Sequence, residues 1–207
     1  MIDNIIKCIN TLLSFIICLG LLARAYDIET SATGNWKGYA VFRDGVFGIQ
    51  YHTAIMQTDT KNSTYPVIHA DGTNPVKSDT WSNFMDGNTF QGICWPKNCT
   101  QNSTNQNAFV AKAKLLKGIP YIFSAQMYYG VTGTNATIQP SSILNIRCDG
   151  VVEYVYEYFG YRVGGADGVW NISKNNLNNY NAHSGTNITP YGQCWYYLTR
   201  VSSSLPQ

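Results

Sequence analysis

The spacing of apolar and polar positions changes along the chain, and each change marks a predicted element. Trp36 to Phe42 (WKGYAVF) reads as a strand, and Arg43-Asp44-Gly45 as a turn. Phe47 to Met56 (FGIQYHTAIM) alternates. It places Phe47, Ile49, Tyr51 and Ile55 on one face and Gln50, His52, Ala54 and Met56 on the other, less apolar one. Tyr65 to Ala70 (YPVIHA) is a further short strand, closed by a turn at Asp71-Gly72. If these two runs pair, His52 and His69 share one sheet.

The period then becomes helical. Phe109, Val110, Ala113 and Leu116 form one apolar stripe within a helix over 105–118. Asn105 or Asn107 can cap it and Gly118 can stop it. Residues 132–142 read as loop. A second helix over 149–159 carries a core-facing stripe of Val151, Val152, Val155, Tyr156 and Phe159. Residues 164–192 are Gly- and Asn-rich loop, with His183 at the surface, and Gln193 to Ser202 (QCWYYLTRVS) is a final strand.

The first 25 residues stand apart from this pattern. Lys7 precedes an apolar run from Cys8 to Leu22, and Ala23-Arg24-Ala25 places small residues where a signal peptidase reads them. The expectation is a signal peptide over 1–25, a single domain over 26–207, and a secreted, periplasmic or cell-envelope location. The run is short for a membrane span and ends at Arg24, so no stable span is expected after cleavage; an uncleaved anchor is the rival reading.

Composition narrows the partners. The formal charge is +2, and charged residues are only 13% of the chain. Nucleic acid is therefore not an expected partner, because phosphate binding needs clustered Lys and Arg. Asn-x-Ser/Thr sequons begin at Asn62, Asn98, Asn102, Asn135, Asn171 and Asn187. Of the six cysteines, Cys8 and Cys18 lie in the leader. Cys94 and Cys99 are close enough in sequence for a local disulfide after export. Cys194, in an apolar run, reads as a buried thiol. Cys-x4-Cys with no matching second pair is a poor metal signature, so neither metal nor cofactor is expected.

Cys148 has the most suggestive setting. It opens an amphipathic helix, where unpaired N–H groups and the helix dipole favour thiolate, and Arg147 adds positive charge. His52 is a candidate base for such a thiol, and His69 a candidate orienter of its ring. The alternative reading is a buried cysteine and two structural histidines.

The words around these residues are more specific. Ala113 to Tyr121 (AKLLKGIPY) followed by Arg147 to Gly160 (RCDGVVEYVYEYFG) resembles the NlpC-type cell-wall peptidases. Gly118, Pro120 and Tyr121 match that family's turn, and Cys148, Gly150 and Val152 its nucleophile motif. His52-Thr53-Ala54-Ile55-Met56 looks like its histidine strand, and Val67-Ile68-His69-Ala70 matches the strand after it. Both histidines precede the cysteine. That order is similar to the circularly permuted branch, which includes the lecithin:retinol acyltransferase-like proteins.

The resemblance covers roughly residues 36–160. It implies an α+β, papain-like, circularly permuted fold, its antiparallel sheet packed against helices including one that begins at the nucleophile. It further implies a Cys148–His52–His69 triad with Tyr121 lining the cleft. Arg147 and Asp149 depart from the motif, flank the nucleophile, and bear on the cleft and the substrate; Asp149 opposes thiolate formation. The implied activity is a cysteine amidase or endopeptidase acting on a peptide or muropeptide. A thioesterase or acyltransferase on an acyl lipid, and a non-catalytic binding module, are the alternatives. Nothing in the residues indicates the oligomeric state.

Overall fold

The computed structural model describes residues 34–45, 51–124, 126–129, 138–163 and 189–207. The expected leader, His183 and the sequons at Asn135, Asn171 and Asn187 lie outside these segments, as does most of the two expected loops.

The described chain runs as β1 (Ala40–Arg43), β2 (His52–Met56), β3 (Val67–Asp71), β4 (Asn74–Asp79), α1 (Trp81–Met85), β5 (Phe90–Pro96), α2 (Ser103–Leu115), β6 (Met127–Tyr129), β7 (Ile143–Ile146), α3 (Cys148–Glu157) and β8 (Leu198–Ser202). Six strands form one sheet in the order β4-β3-β2-β1-β5-β8, and each neighbouring pair is antiparallel. β6 and β7 make a separate two-stranded ribbon. The fold is thus α+β, with helices packed on an antiparallel sheet.

The β3–β4 hairpin follows from local chemistry. Asp71 Oδ1 accepts the backbone N–H of Thr73 at 3.1 Å and of Asn74 at 2.9 Å, a side-chain-driven turn at the expected Asp71-Gly72. β4 (NPVKSD) is half exposed and contains Pro75; it lies at the sheet edge, where a missing N–H is tolerated. Thr80 then caps α1, its hydroxyl accepting the Asn83 N–H.

β2 is buried at every position, so the less apolar face that carries His52 is covered as well as the apolar one. Helix α3 packs on β2 and β3, and Phe84 of α1 packs on the His52 and His69 rings. α2 places Phe109, Val110, Ala113 and Leu116 inside as its period predicts. Its cap, however, is Asn102, whose side chain accepts the Asn105 N–H.

α3 departs further from expectation. All ten residues from Cys148 to Glu157 are buried, whereas Phe159 is 40% exposed. Asp149, Glu153 and Glu157, spaced by four, form an acidic stripe inside the protein. Arg147 pairs with Asp149, Gln126 donates to Glu153, and the Val163 N–H donates to Glu157 at 3.1 Å. The final expected strand is also shorter. Thr189 caps a turn starting at Pro190, and the chain stays helical, as a π-helical turn, through Gln193–Tyr197 before β8 begins. No helix among the described residues is long and apolar enough to cross a membrane.

Candidate active site

Register brings the two histidines together. β1 and β2 pair Arg43 with His52, and β2 and β3 pair Ile55 with Ile68. Counting one residue along each strand sets His69 beside Ala54, on the face His52 shares. β3 and β4 pair Val67 with Asp79 and His69 with Lys77, so Asp79 joins that face from the edge strand.

The side chains form a continuous chain of hydrogen bonds. His52 Nε2 lies 2.7 Å from His69 Nδ1, and His69 Nε2 lies 3.2 Å from Asp79 Oδ2. Asp79 Oδ1 accepts from the Thr80 N–H and from Asn83 Nδ2, each at 2.8 Å. Lys77 Nζ stands 2.9 Å from Asp79 Oδ2 and 3.0 Å from Asp71 Oδ2. Burial would raise the Asp79 carboxyl, but the bonds from Lys77, Asn83, Thr80 and His69 outweigh it and hold the group at about 2.

That carboxylate decides the tautomers. An ionised carboxyl can only accept, so His69 carries its proton on Nε2. Burial keeps His69 neutral despite Asp79, which leaves His69 Nδ1 an acceptor. His52 must then donate from Nε2, and its lone pair is on Nδ1. Burial, together with the neighbouring His69 and Arg43, holds the His52 pKa well below 6.5. His52 is therefore a neutral base near pH 7. Phe84 of α1 packs against both rings, with centroids 5.6 and 5.8 Å away, and fixes their planes.

His69, Asp71 and Asp79 offer ligand atoms within 4.8 Å of one another, a spacing a metal ion can use. The Lys77 ammonium stands between the two carboxylates and supplies the positive charge such an ion would bring.

Cys148 begins α3 directly after β7, at the helix end where the first N–H groups have no intrahelical partner. The backbone N–H groups of Thr53 and Asp149 face its sulfur and favour the thiolate. No hydrogen bond joins it to the His52 ring in this resting geometry. Burial, then Asp149, pushes the thiol up to about 12 against the pull of Arg147, so the resting group is a thiol rather than a thiolate.

The flanking charges largely cancel. Arg147 grips Asp149 through two bonds, Nε to Oδ1 at 2.6 Å and Nη2 to Oδ2 at 2.8 Å. Asp149 is fully buried, and the guanidinium also reaches the Phe123 carbonyl at 3.1 Å. Gln193 Nε2 donates to the Asp149 carbonyl at 2.9 Å, tying the C-terminal segment to the first turn of α3.

Cys148, His52, Tyr121 and Arg147 all line one cleft of about 410 Å³, with Arg43, Tyr51, Phe123 and Tyr191 also on its walls. His69 lies behind His52, and Asp149 beneath Arg147. Tyr121 is seated by a bridge to Ile146, and burial, with Cys148 beside it, pushes its hydroxyl up to about 12. Arg43 donates to the carbonyls of Phe84 and Asp44 and makes no salt bridge among the described residues.

Cys94 and Cys99 are not partners. All four described cysteines are free thiols. Cys94 points from β5 into the core toward Cys194, 3.4 Å away sulfur to sulfur. Cys99 lies beyond Pro96 and Asn98, with its thiol toward the Thr100 carbonyl and Asn105 Nδ2.

Sequence reasoning overlooked Asp79, Arg43 and Gln193. Asp79 had a usable signal: it stands immediately before the capping Thr80, ten residues after His69. Arg43 and Gln193 had none, since both reach the site through strand pairing and chain return. Comparison of the chain with family models, curated proteins and solved structures gave no match in any of the three.

Proposed function

We propose that this chain is an exported cysteine hydrolase, an amidase or peptidase that cleaves an amide bond in cell-wall peptide. The observation that carries the reading is the buried chain Asp79–His69–His52, which ends at the cleft Cys148 lines. A relay that leaves one basic nitrogen at a cleft holding a helix-start thiol is the arrangement general-base activation of sulfur requires. The sequence words shared with NlpC-type peptidases, in the permuted order, supply the bond class and the cell-wall substrate.

In this reading Cys148 Sγ attacks the substrate carbonyl as His52 Nδ1 takes the thiol proton. Because the resting thiol is neutral, the proton moves during attack and no ion pair precedes it. The imidazolium formed on His52 is steadied through His69 by the Asp79 carboxylate. The oxyanion is held by backbone N–H groups at the start of α3, that of Cys148 first. His52 returns the proton to the leaving amine, and water then clears the thioester. Arg147 neutralises Asp149, so the carboxylate beside the nucleophile does not prevent attack.

Aromatic walls favour a second substrate class. Tyr51, Tyr121, Phe123 and Tyr191 would suit an acyl chain, and the same thiol and histidine would form an acyl-enzyme in a thioesterase or acyltransferase. Incubation with a muropeptide panel, and separately with acyl esters, followed by intact-mass measurement, tests both. A peptide-fragment adduct on Cys148 supports the amidase, and a fatty-acyl adduct the acyltransferase. Turnover of the panel by a folded Cys148→Ala variant would refute any role of this thiol as nucleophile.

A further inference from the structure

Away from the cleft, two thiols face one another inside the fold. Cys94 lies on β5 and Cys194 on the π-helical turn, 100 positions apart in the chain, with their sulfurs 3.4 Å apart. They are 0% and 1% exposed. The other two described thiols lie elsewhere: Cys99 against Thr100 and Asn105, and Cys148 at the cleft.

We propose that Cys94 and Cys194 are a disulfide-forming pair that bolts the C-terminal wall of the cleft to the central sheet. The oxidant is a disulfide of glutathione type or of a protein exchange partner. During folding, before the core closes over it, Cys194 loses its proton and attacks one sulfur of that disulfide, which releases one thiol and leaves a mixed disulfide on Cys194. Cys94 then loses its proton, attacks the Cys194 sulfur and expels the second thiol. Two protein thiols and one external disulfide become one protein disulfide and two external thiols, so the electrons pass to the oxidant. The sulfurs need only close from 3.4 Å to the covalent separation of about 2.05 Å. The contact between the two sulfurs favours ionisation of Cys194 and, with burial, holds the Cys94 thiol up; Arg200, the β8 partner of Cys94, counters part of that.

The consequence reaches the site without touching its chemistry. Gln193, one residue before Cys194, holds the Asp149 carbonyl in the first turn of α3. Tyr191 and Pro190 line the cleft. A covalent link at Cys194 therefore fixes the segment that braces the nucleophile helix, while Cys148 stays free. The inference stands whether or not Cys148 is a nucleophile.

The test uses the full chain, refolded from denaturant in a buffer rich in oxidised glutathione so that both thiols can be reached, alkylated under denaturing conditions and mapped by mass spectrometry after tryptic digestion. Cleavage after Lys97 separates Cys94 from Cys99. The expected product is the Cys94 peptide joined to the Cys194 peptide, two hydrogens lighter than their sum, with Cys99 and Cys148 alkylated. The same oxidised sample should melt about 10 °C above its reduced form, the gain from closing a loop near 100 residues in a chain of this size. This second reading needs no variant that could fail to fold. Full alkylation of Cys94 and Cys194, a Cys94–Cys99 link, or equal melting of the two forms would overturn the proposal.

Discussion

Replacement of Gly150 by alanine probes how tightly α3, the helix that opens at Cys148, is seated. A Cβ on Gly150 would stand 2.3 Å from the Gln126 carbonyl oxygen and 2.9 Å from Ile146 Cγ1. Carbon and carbonyl oxygen in contact keep about 3.3 Å apart, so the backbone must yield by about 1 Å. The obstacle is main chain and cannot rotate away. The same carbonyl accepts the Arg147 N–H at 2.9 Å, so a shift that relieves the clash stretches the bond holding the residue before Cys148. Overpacking of this kind costs about 1–3 kcal/mol and a weakened hydrogen bond about 1 kcal/mol. Alanine returns about 1 kcal/mol in helix propensity. The net cost is about 1–3 kcal/mol. For a chain of this length that lowers Tm by about 3–10 °C. Gly72→Ala, where a new Cβ meets nothing within 4 Å, is the control and should leave Tm within about 1 °C. Thermal melts followed by circular dichroism read both variants. A displacement near 1 Å at the first turn also carries the Cys148 sulfur, so turnover in the muropeptide assay should fall about 100-fold. A Gly150→Ala protein as stable as the parent would refute the close seating of α3 on Gln126.

Two further outcomes follow from the titrating groups. Asp79, held at about 2 in the fold against about 3.9 unfolded, contributes about 2 kcal/mol above pH 4 that is lost as pH falls toward 2. Denaturant melts of Asp79→Asn should therefore lack this acid limb between pH 5 and 2, and turnover should drop about 100-fold or more as His69 loses the partner that sets its tautomer; an unaltered acid limb would contradict the assigned network. Cys148, pushed up to about 12, should show no thiolate absorbance at 240 nm near pH 7 relative to Cys148→Ala, with the difference emerging only above about pH 10. A thiolate signal at neutral pH would mean a resting thiolate–imidazolium pair in place of the neutral pair described above.

Much of the scaffold was legible in local pattern. The β2 and β3 runs, the α2 stripe and the helix opening at Cys148 follow from periodicity and turn residues, which depend on near neighbours. Their companions were not legible for physical reasons. β4 is an edge strand that tolerates Pro75, and its charged residues Lys77 and Asp79 join the His69 network, so it lacks strand-like alternation. β6 and β7 are too short to show a period. The π-helical turn at Gln193 reads as strand because its aromatic run suits either state, and only the cap at Thr189 and the packing of Cys194 on β5 select the helical one.

Candidate chemistry divides the same way. Residue types and their order pointed to Cys148, His52 and His69, and to Tyr121 at the cleft. Strand register alone set His69 behind His52 and supplied Asp79, because register depends on pairing across segments far apart in the chain. The charges at Arg147 and Asp149 read from sequence as a disturbance of the nucleophile; only the folded geometry turned them into a mutually satisfied pair. The cysteines make the point most simply. Sequence proximity favours Cys94 with Cys99, but Cys99 lies past the end of β5, and the core-facing Cys94 meets the residue that the returning chain brings there, Cys194.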